Sequence, residues 1–459
     1  MLHPAPLPRA APLRAAKRGK GECPIYVDSK GKVIPAMCAD YGFRSGSGRL
    51  YQESYGEVPS DVWQLAKDNY RHELTQLRRS VRFPPSDVKQ PSNPVARAVS
   101  AAGTAVAGGL ASLDRALEGA GVLRPLEPPP TMGALETQEF KQIRAKLDRL
   151  ELDVADVVAV ERRRIAAQGG DMSSPLWVRA PFYALCWVLD VMYDSKPIEK
   201  FWVLETVARI PYFAYISILH LYESLGFWRA GAELRKIHFA EEWNEMHHLQ
   251  IMESLGGDRA WVDRFIAEHA AVLYYWVLIG FYLVSPRMAY NFMQRVELHA
   301  ADTYTAFLER NAELLSSIPP PLVALQYYCS EDLYLFDEFQ TASRSAPPRR
   351  PRCESLLDVF TNIRDDELEH VKTMVACQNS GIARDIAAAS ASAAASVSAA
   401  AEPALAAQRA QAAALTAQAQ AAQGQALAAA EVEAVDVAAA AEVPRRAERA
   451  AAVEGVPAN

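Results

Sequence analysis

The stretch HFAEEWNEMHHLQIMESLGG (His238–Gly257) decides the fold. It sets Glu245 and His248 three residues apart, and on a helix residues i and i+3 share one face. The stretch LLDVFTNIRDDELEHVKTMVACQ (Leu356–Gln378) repeats that spacing with Glu367 and His370. Two more apolar, helix-patterned stretches carry one carboxylate each. FWVLETVARIPYFAYISILHLYE (Phe201–Glu223) holds Glu205, and MAYNFMQRVELHAADTYTAFLE (Met288–Glu309) holds Glu297. Glu205 lies between Leu204 and Thr206, where a carboxylate is costly without a partner.

Two helices with Glu-x-x-His and two with a single Glu make the ligand set of a ferritin-like two-metal bundle. Four carboxylates and two imidazoles neutralise two divalent or trivalent ions and leave positions for oxygen. Hard oxygen donors with imidazole suit iron or manganese better than copper or structural zinc. Each residue alone has a plainer account: Glu245 on a solvated face, His248 as a satisfied core histidine, Glu297 as a partner of Arg295. The repeated motif outweighs these. The expected fold is all-α: a ferritin-like four-helix bundle with additional membrane-interface helices, flanked by low-complexity termini.

Around this centre the chain has 459 residues, with 48 Lys plus Arg against 55 Asp plus Glu and a formal net charge of -7. No global positive field exists, which argues against a general nucleic-acid binder. The six cysteines, Cys23, Cys38, Cys186, Cys329, Cys353 and Cys377, form no CxxC pair. They are too few for a disulfide scaffold and wrongly spaced for a thiolate zinc or iron–sulfur site. No run of 18 uncharged apolar residues occurs, against an ordinary membrane-crossing helix.

Two stretches are greasy, Phe182–Tyr193 and Ala270–Val284. The second has 15 uncharged residues, about 22 Å as a helix, short of a hydrocarbon core of roughly 30 Å. It reads either as a buried core helix or as a helix lying in a membrane interface. Tyr274, Tyr275, Trp276, Phe281 and Tyr282 suit the second.

Composition divides the chain into zones. Residues 1–21 carry Arg9, Arg14, Lys17, Arg18 and Lys20 with no acid before Glu22, as an organelle-targeting peptide or a disordered basic terminus does. Residues 22–170 are mixed, with helical stretches near 60–80 and 135–168 separated by Pro-rich linkers and an Ala/Gly patch at 96–112. Residues 171–378 hold most aromatics and the chemistry. Residues 379–459 are low-complexity, with 23 alanines in the block 401–450. Their few large apolar side chains predict a tail, disordered or loosely helical, without a catalytic role.

Several strings resemble a known family: Leu204-Glu205-Thr206, Asn244-Glu245-Met246-His247-His248, Ser285-Pro286-Arg287-Met288-Ala289-Tyr290, DLYLFDEFQ at 332–340 and NIRDDE at 362–367. From about residue 180 to 378 the chain looks like the plastid branch of the alternative oxidase family of membrane-bound di-iron quinol oxidases. The resemblance implies iron ligands at Glu205, Glu245, His248, Glu297, Glu367 and His370, the six that spacing selects. It implies supporting residues at His220, Asn244, Tyr282, Tyr304 and Asp366, and a quinol pocket at Lys200, Leu204 and Thr303. His220 follows Glu205 by 15 residues and Tyr304 follows Glu297 by seven, each on the same helix face. Lys200 stands where the family generally has arginine; it keeps the charge and loses the planar fork. The Glu205 to Glu245 spacing is one residue longer than usual near Gly231.

The implied activity is oxidation of plastoquinol by dioxygen, giving plastoquinone and water without proton pumping, with two irons per chain. The implied setting is one leaflet of the chloroplast thylakoid membrane, with residues 1–21 as transit peptide and at least a homodimer. Two other functions share the ligand set. A di-iron hydroxylase or desaturase acting on an apolar substrate would leave an oxidised organic product. A ferritin-like storage or structural bundle would have polar helix exteriors, against which the greasy stretches speak.

Overall fold

A computed structural model describes residues 14–16, 25–27, 33–34, 36–37, 61–84, 89–128, 138–227, 231–329, 351–379, 381, 384 and 410–411. The chain divides into two units, residues 1–383 and 384–459. The low-complexity tail other than residues 379, 381, 384 and 410–411, the 332–340 string and residues 1–21 other than 14–16 lie outside the described residues.

Three strands, β1 (Arg14–Ala16), β2 (Ile25–Val27) and β3 (Val33–Ile34), pair antiparallel in that order. Among the described residues every other element is helical: α1 (Val62–Arg82), α2 (Pro94–Gly119), α3 (Gln138–Leu147), α4 (Val154–Ala167), α5 (Leu176–Met192), α6 (Pro197–Ser224), α7 (Gly231–Ser254), α8 (Trp261–Val284), α9 (Pro286–Ser316), α10 (Leu322–Tyr328) and α11 (Leu356–Gln378). The four ligand-bearing stretches fall on α6, α7, α9 and α11. Helix α6 packs along α7 and α8, while α9 packs along α11. The fold is thus the expected helical bundle, with a short ribbon that alternating patterns of two or three residues could not announce.

Local chemistry starts and stops these helices. Ser355 caps α11 and receives the Asp358 side chain in return, a capping box that stabilises by about 1 kcal/mol. The expected helix at 135–168 breaks between Leu147 and Val154, and Asp153 restarts it by accepting from the Ala155 N–H at 2.9 Å. The Ala/Gly patch at 96–112, given no secondary structure from sequence, lies within the helix α2. Asn93 caps it and Pro94 fills its first turn, and its alanines outweigh Gly103, Gly108 and Gly109, which cost roughly 0.5–1 kcal/mol each.

Helices α1 and α2 form a hairpin closed by charge. Arg78 meets Asp114 at 2.5 Å and Arg82 meets Glu118 at 2.6 Å, with Asp114 and Arg78 both buried. Tethers to the helices beside it fix the hairpin. Trp261 Nε1 donates to Glu73 Oε2 at 2.7 Å, and the Asn93 N–H donates to Asp194 Oδ2 at 2.8 Å.

The bundle core is aromatic. Phe201 stacks on Tyr304 with centroids 4.3 Å apart, and Phe307 tilts against Phe360 at 4.8 Å. Such pairs add about 0.5–1.5 kcal/mol each beyond area burial. One described helix, α8, is long and apolar enough to cross a membrane by length and composition. It extends the uncharged run backwards through Asp263, Arg264 and Glu268. Ala267, Ala271, Leu278 and Tyr282 are buried, while Val272, Leu273, Trp276 and Val277 are exposed. Trp177, Tyr183 and Trp187 of α5 are exposed as well.

Candidate metal centre

Helix periodicity aims six side chains inward: Glu205 from α6, Glu245 and His248 from α7, Glu297 from α9, Glu367 and His370 from α11. None is more than 2% exposed. Ligand atoms of Glu205, Glu245, His248 and Glu367 all lie within 4.8 Å of one another, and so do those of Glu245, Glu297, Glu367 and His370. Glu245 and Glu367 belong to both groups. Two positions thus share two carboxylates, and each has one further Glu and one His of its own. His248 Nδ1 lies 3.4 Å from Glu245 and 3.3 Å from Glu367, and His370 Nδ1 lies 2.9 Å from Glu245.

The electrostatics show what the cluster lacks. Burial and the Glu245 charge push the Glu205 carboxyl well above its ordinary range, and burial and the Glu367 charge do the same to Glu297. Glu245 and Glu367 are buried as deeply, yet the His248 and His370 imidazoles hold both below the ordinary range. The imidazoles rise in turn against their burial, His248 through Tyr328 and the carboxylates around it and His370 through Glu245 and Glu367. Glu205 Oε2, both Glu245 oxygens and His248 Nδ1 are buried and make no hydrogen bond of good geometry. Buried acceptors of this kind are costly unless something binds them. Hard carboxylate oxygens with one imidazole per position fit iron.

Supporting contacts surround the six. Tyr304 donates its phenol proton to Glu205 Oε1. Asp366 Oδ2 accepts from Tyr328 at 2.8 Å and from Asn244 Nδ2 at 3.0 Å, and lies 3.1 Å from His248 Nε2. Asn244 also donates to the Tyr327 phenol at 2.8 Å. Carboxylates so placed fix a ligand imidazole's orientation and tautomer.

Sequence reasoning did not name Tyr212, which donates to Glu297 Oε1 at 2.5 Å. The signal was present, since Tyr212 follows Glu205 by seven residues, the same spacing that singled out Tyr304. Tyr327 and Tyr328 carried no such signal, because α10 brings them in from outside the four ligand helices.

Other expected site residues are not brought to the carboxylates. His220 shares the Glu205 face, but 15 residues separate the two along the helix, about 22 Å of rise. It is exposed, with Arg235 Nη1 3.1 Å from its Nδ1. Tyr282 is buried in a separate aromatic cluster, its phenol 3.2 Å from that of Tyr290. Lys200 is buried and paired with Asp190 at 2.6 Å. Thr303 donates to the His299 carbonyl at 2.7 Å, and Leu204 is half-buried. Arg295 does not meet Glu297; it pairs with Asp171 at 3.1 Å.

Four helices converging on two positions that share two glutamates define a buried carboxylate–histidine centre for a metal pair. Residues 156–379 match the family described as Alternative oxidase. It is 55% identical over 197 residues to ubiquinol oxidase 4, chloroplastic/chromoplastic, of Arabidopsis thaliana, covering 43% of this chain and 56% of that protein. It is 28% identical over 182 residues to the mitochondrial ubiquinol oxidase 1b of Oryza sativa subsp. japonica, covering 39% and 48%. The chain spans about half the length of the curated relatives it matches. No solved structure matches it.

Proposed function

We propose that residues 171–378 form a di-iron quinol oxidase that takes electrons from plastoquinol and reduces dioxygen to water. The observation that carries this reading is the meeting of two Glu-x-x-His helices and two further glutamates within 4.8 Å groups. The likeness to a chloroplastic ubiquinol oxidase supports the quinol class. Glu205, Glu245, His248, Glu297, Glu367 and His370 would hold two irons, which supply the one-electron steps and the binding of dioxygen.

The chain's own residues do the rest. Glu245 and Glu367 hold the two positions at a shared spacing. Asp366 and Asn244 orient His248. Tyr304 keeps a phenol proton against Glu205 and can donate a hydrogen atom there. Tyr212 keeps another against Glu297. The aromatic walls Phe201, Phe307 and Phe360 keep water from the carboxylates. Lys200, Leu204 and Thr303 are assigned to the quinol pocket by family resemblance.

The same reading places the protein on one leaflet of the thylakoid membrane. The exposed aromatic and aliphatic faces of α5 and α8 support it, and an apolar substrate dissolved in lipid would arrive from that side. Residues 1–21 would serve as a transit peptide and 379–459 as a tail. An oxygen-electrode assay of the iron-loaded chain with a plastoquinol analogue tests the function. Two quinols consumed per dioxygen is the expected stoichiometry. Oxygen uptake with a hydroxylated or desaturated organic product instead would replace it with the oxygenase reading.

A further inference from the structure

Four cysteines lie among the described residues: Cys186, Cys329, Cys353 and Cys377. Cys353 is buried in the main apolar cluster, 3% exposed, and half-buried Cys329 packs against the same cluster. Their thiols are within hydrogen-bonding reach of each other. In sequence they are 24 positions apart (353 − 329), so the fold has brought them together. Cys329 ends α10, its N–H donating to the Leu325 carbonyl at 3.1 Å, immediately after Tyr328. Cys353 leads into α11, whose first residue Leu356 donates its N–H to the Ile318 carbonyl at 2.8 Å. A bond between the two sulfurs would link the element that carries Tyr328 to the one that carries Asp366.

We propose that Cys329 and Cys353 are a redox-active dithiol, closed to an intramolecular disulfide by exchange with a glutathione-type disulfide, and that closure stiffens the Tyr328–Asp366 support of the metal centre. The half-buried Cys329 is the entry point. Its thiolate attacks one sulfur of the oxidised reagent, forming a mixed disulfide and expelling one thiolate. Cys353 then loses its proton, attacks the Cys329 sulfur and expels the second. Two electrons and two protons pass from the cysteine pair to the reagent, which leaves as two thiols. The Cys329 sulfur and burial hold the Cys353 thiol well above its ordinary range. A thiol that resists ionisation does not stabilise the reduced form, so the closed bond is favoured at equilibrium while its formation is slow.

The link to the metal centre rests on the function proposed above, and the test separates the two. The full-length, iron-loaded protein is equilibrated with mixtures of reduced and oxidised glutathione, quenched in acid, alkylated and mapped by mass spectrometry. The expected product joins the Cys329 and Cys353 peptides with loss of two hydrogens. It reverts in dithiothreitol and is missing from Cys329→Ser. Iron transfer to a chelator is then followed. Oxidised parent protein should release iron about 10-fold less readily than reduced, the size of effect supporting residues exert on a metal. Cys329→Ser should show no dependence on redox state.

Both cysteines separately alkylated across the whole range, or only a glutathione adduct on Cys329, would overturn the dithiol. Bond formation without a change in iron release would overturn the coupling. Protein that takes up no iron fails the function reading, and the peptide map alone then decides the disulfide.

Discussion

Asp366→Asn tests how the centre is held. The Asp366 carboxylate accepts from Tyr328 and Asn244 at 2.8 and 3.0 Å and faces His248 Nε2 at 3.1 Å. Asparagine keeps the shape and one acceptor oxygen. It loses the charge that orients the imidazole, and its amide must turn a donor towards one of three groups that already donate. Loss of supporting partners of this kind lowers metal affinity about 10- to 100-fold, which is about 1.4–2.7 kcal/mol. The variant should fold, because asparagine has nearly the same shape and leaves the Phe201–Tyr304 stack in place, and its melting temperature is the control. Chelator competition read by metal analysis gives the affinity. Tyr328→Phe, which removes one donor and leaves the carboxylate, should show a smaller loss. Wild-type iron affinity in a folded Asp366→Asn protein would refute the argument that this carboxylate positions His248.

Four other outcomes follow from the same geometry. Glu297→Ala removes a ligand held by one position alone, so metal analysis should find that position empty; full stoichiometric iron with normal turnover contradicts the assignment. Tyr304→Phe keeps the 4.3 Å stack on Phe201 and loses the phenol, so it should retain iron and lose most oxygen consumption per iron pair; near-parental turnover at saturating quinol eliminates a required role for that hydroxyl. Leu273→Asp with Trp276→Asp charges the exposed face of α8, and co-sedimentation with lipid vesicles should drop severalfold while the melting temperature holds; unchanged binding removes α8 from the contact. Burial, prevailing over the Arg164 guanidinium, pushes Asp302 up to about 6 from an ordinary 3.8. The folded chain therefore takes this proton before the unfolded chain does, and this contribution stabilises the fold as pH falls from about 6 towards 4. Asp302→Asn should flatten that part of the melting profile, and an unaltered slope speaks against it.

The ligand set was legible because helix geometry is regular: a spacing of three fixes a face, and apolar neighbours around Glu205 mark a buried acid. The same regularity misleads over distance. His220 shares an azimuth with Glu205 and sits about four turns away. Tyr327 and Tyr328 were not legible because their contribution depends on where a seven-residue helix docks, which no periodicity encodes. The Ala/Gly patch hid a helix because its face is nearly featureless. Its start was written in Asn93-Pro94, and its pairing with α1 in the charges Asp114 and Glu118 that answer Arg78 and Arg82. The thiol pair was invisible for the opposite reason: spacing rules look for neighbours, and Cys329 and Cys353 become neighbours only after α10 and α11 have docked.

The α1–α2 hairpin lies outside the stretch that matches the family, yet two of its tethers end at or beside the greasy helices. Glu73 holds the first residue of α8, and Asn93 holds Asp194, just past the last residue of α5. Two helices with exposed aromatic faces are therefore strapped by one hairpin, locked in turn by a quartet of charge of which Arg78 and Asp114 are buried. A strap of this kind presets the spacing of the exposed apolar surfaces while the chain is still in water. Newly made protein then has a rigid rather than a collapsible greasy face, one that resists folding in on itself or on another chain. Cutting the hairpin would be felt first as lower yield and clumping during synthesis, ahead of any loss of turnover.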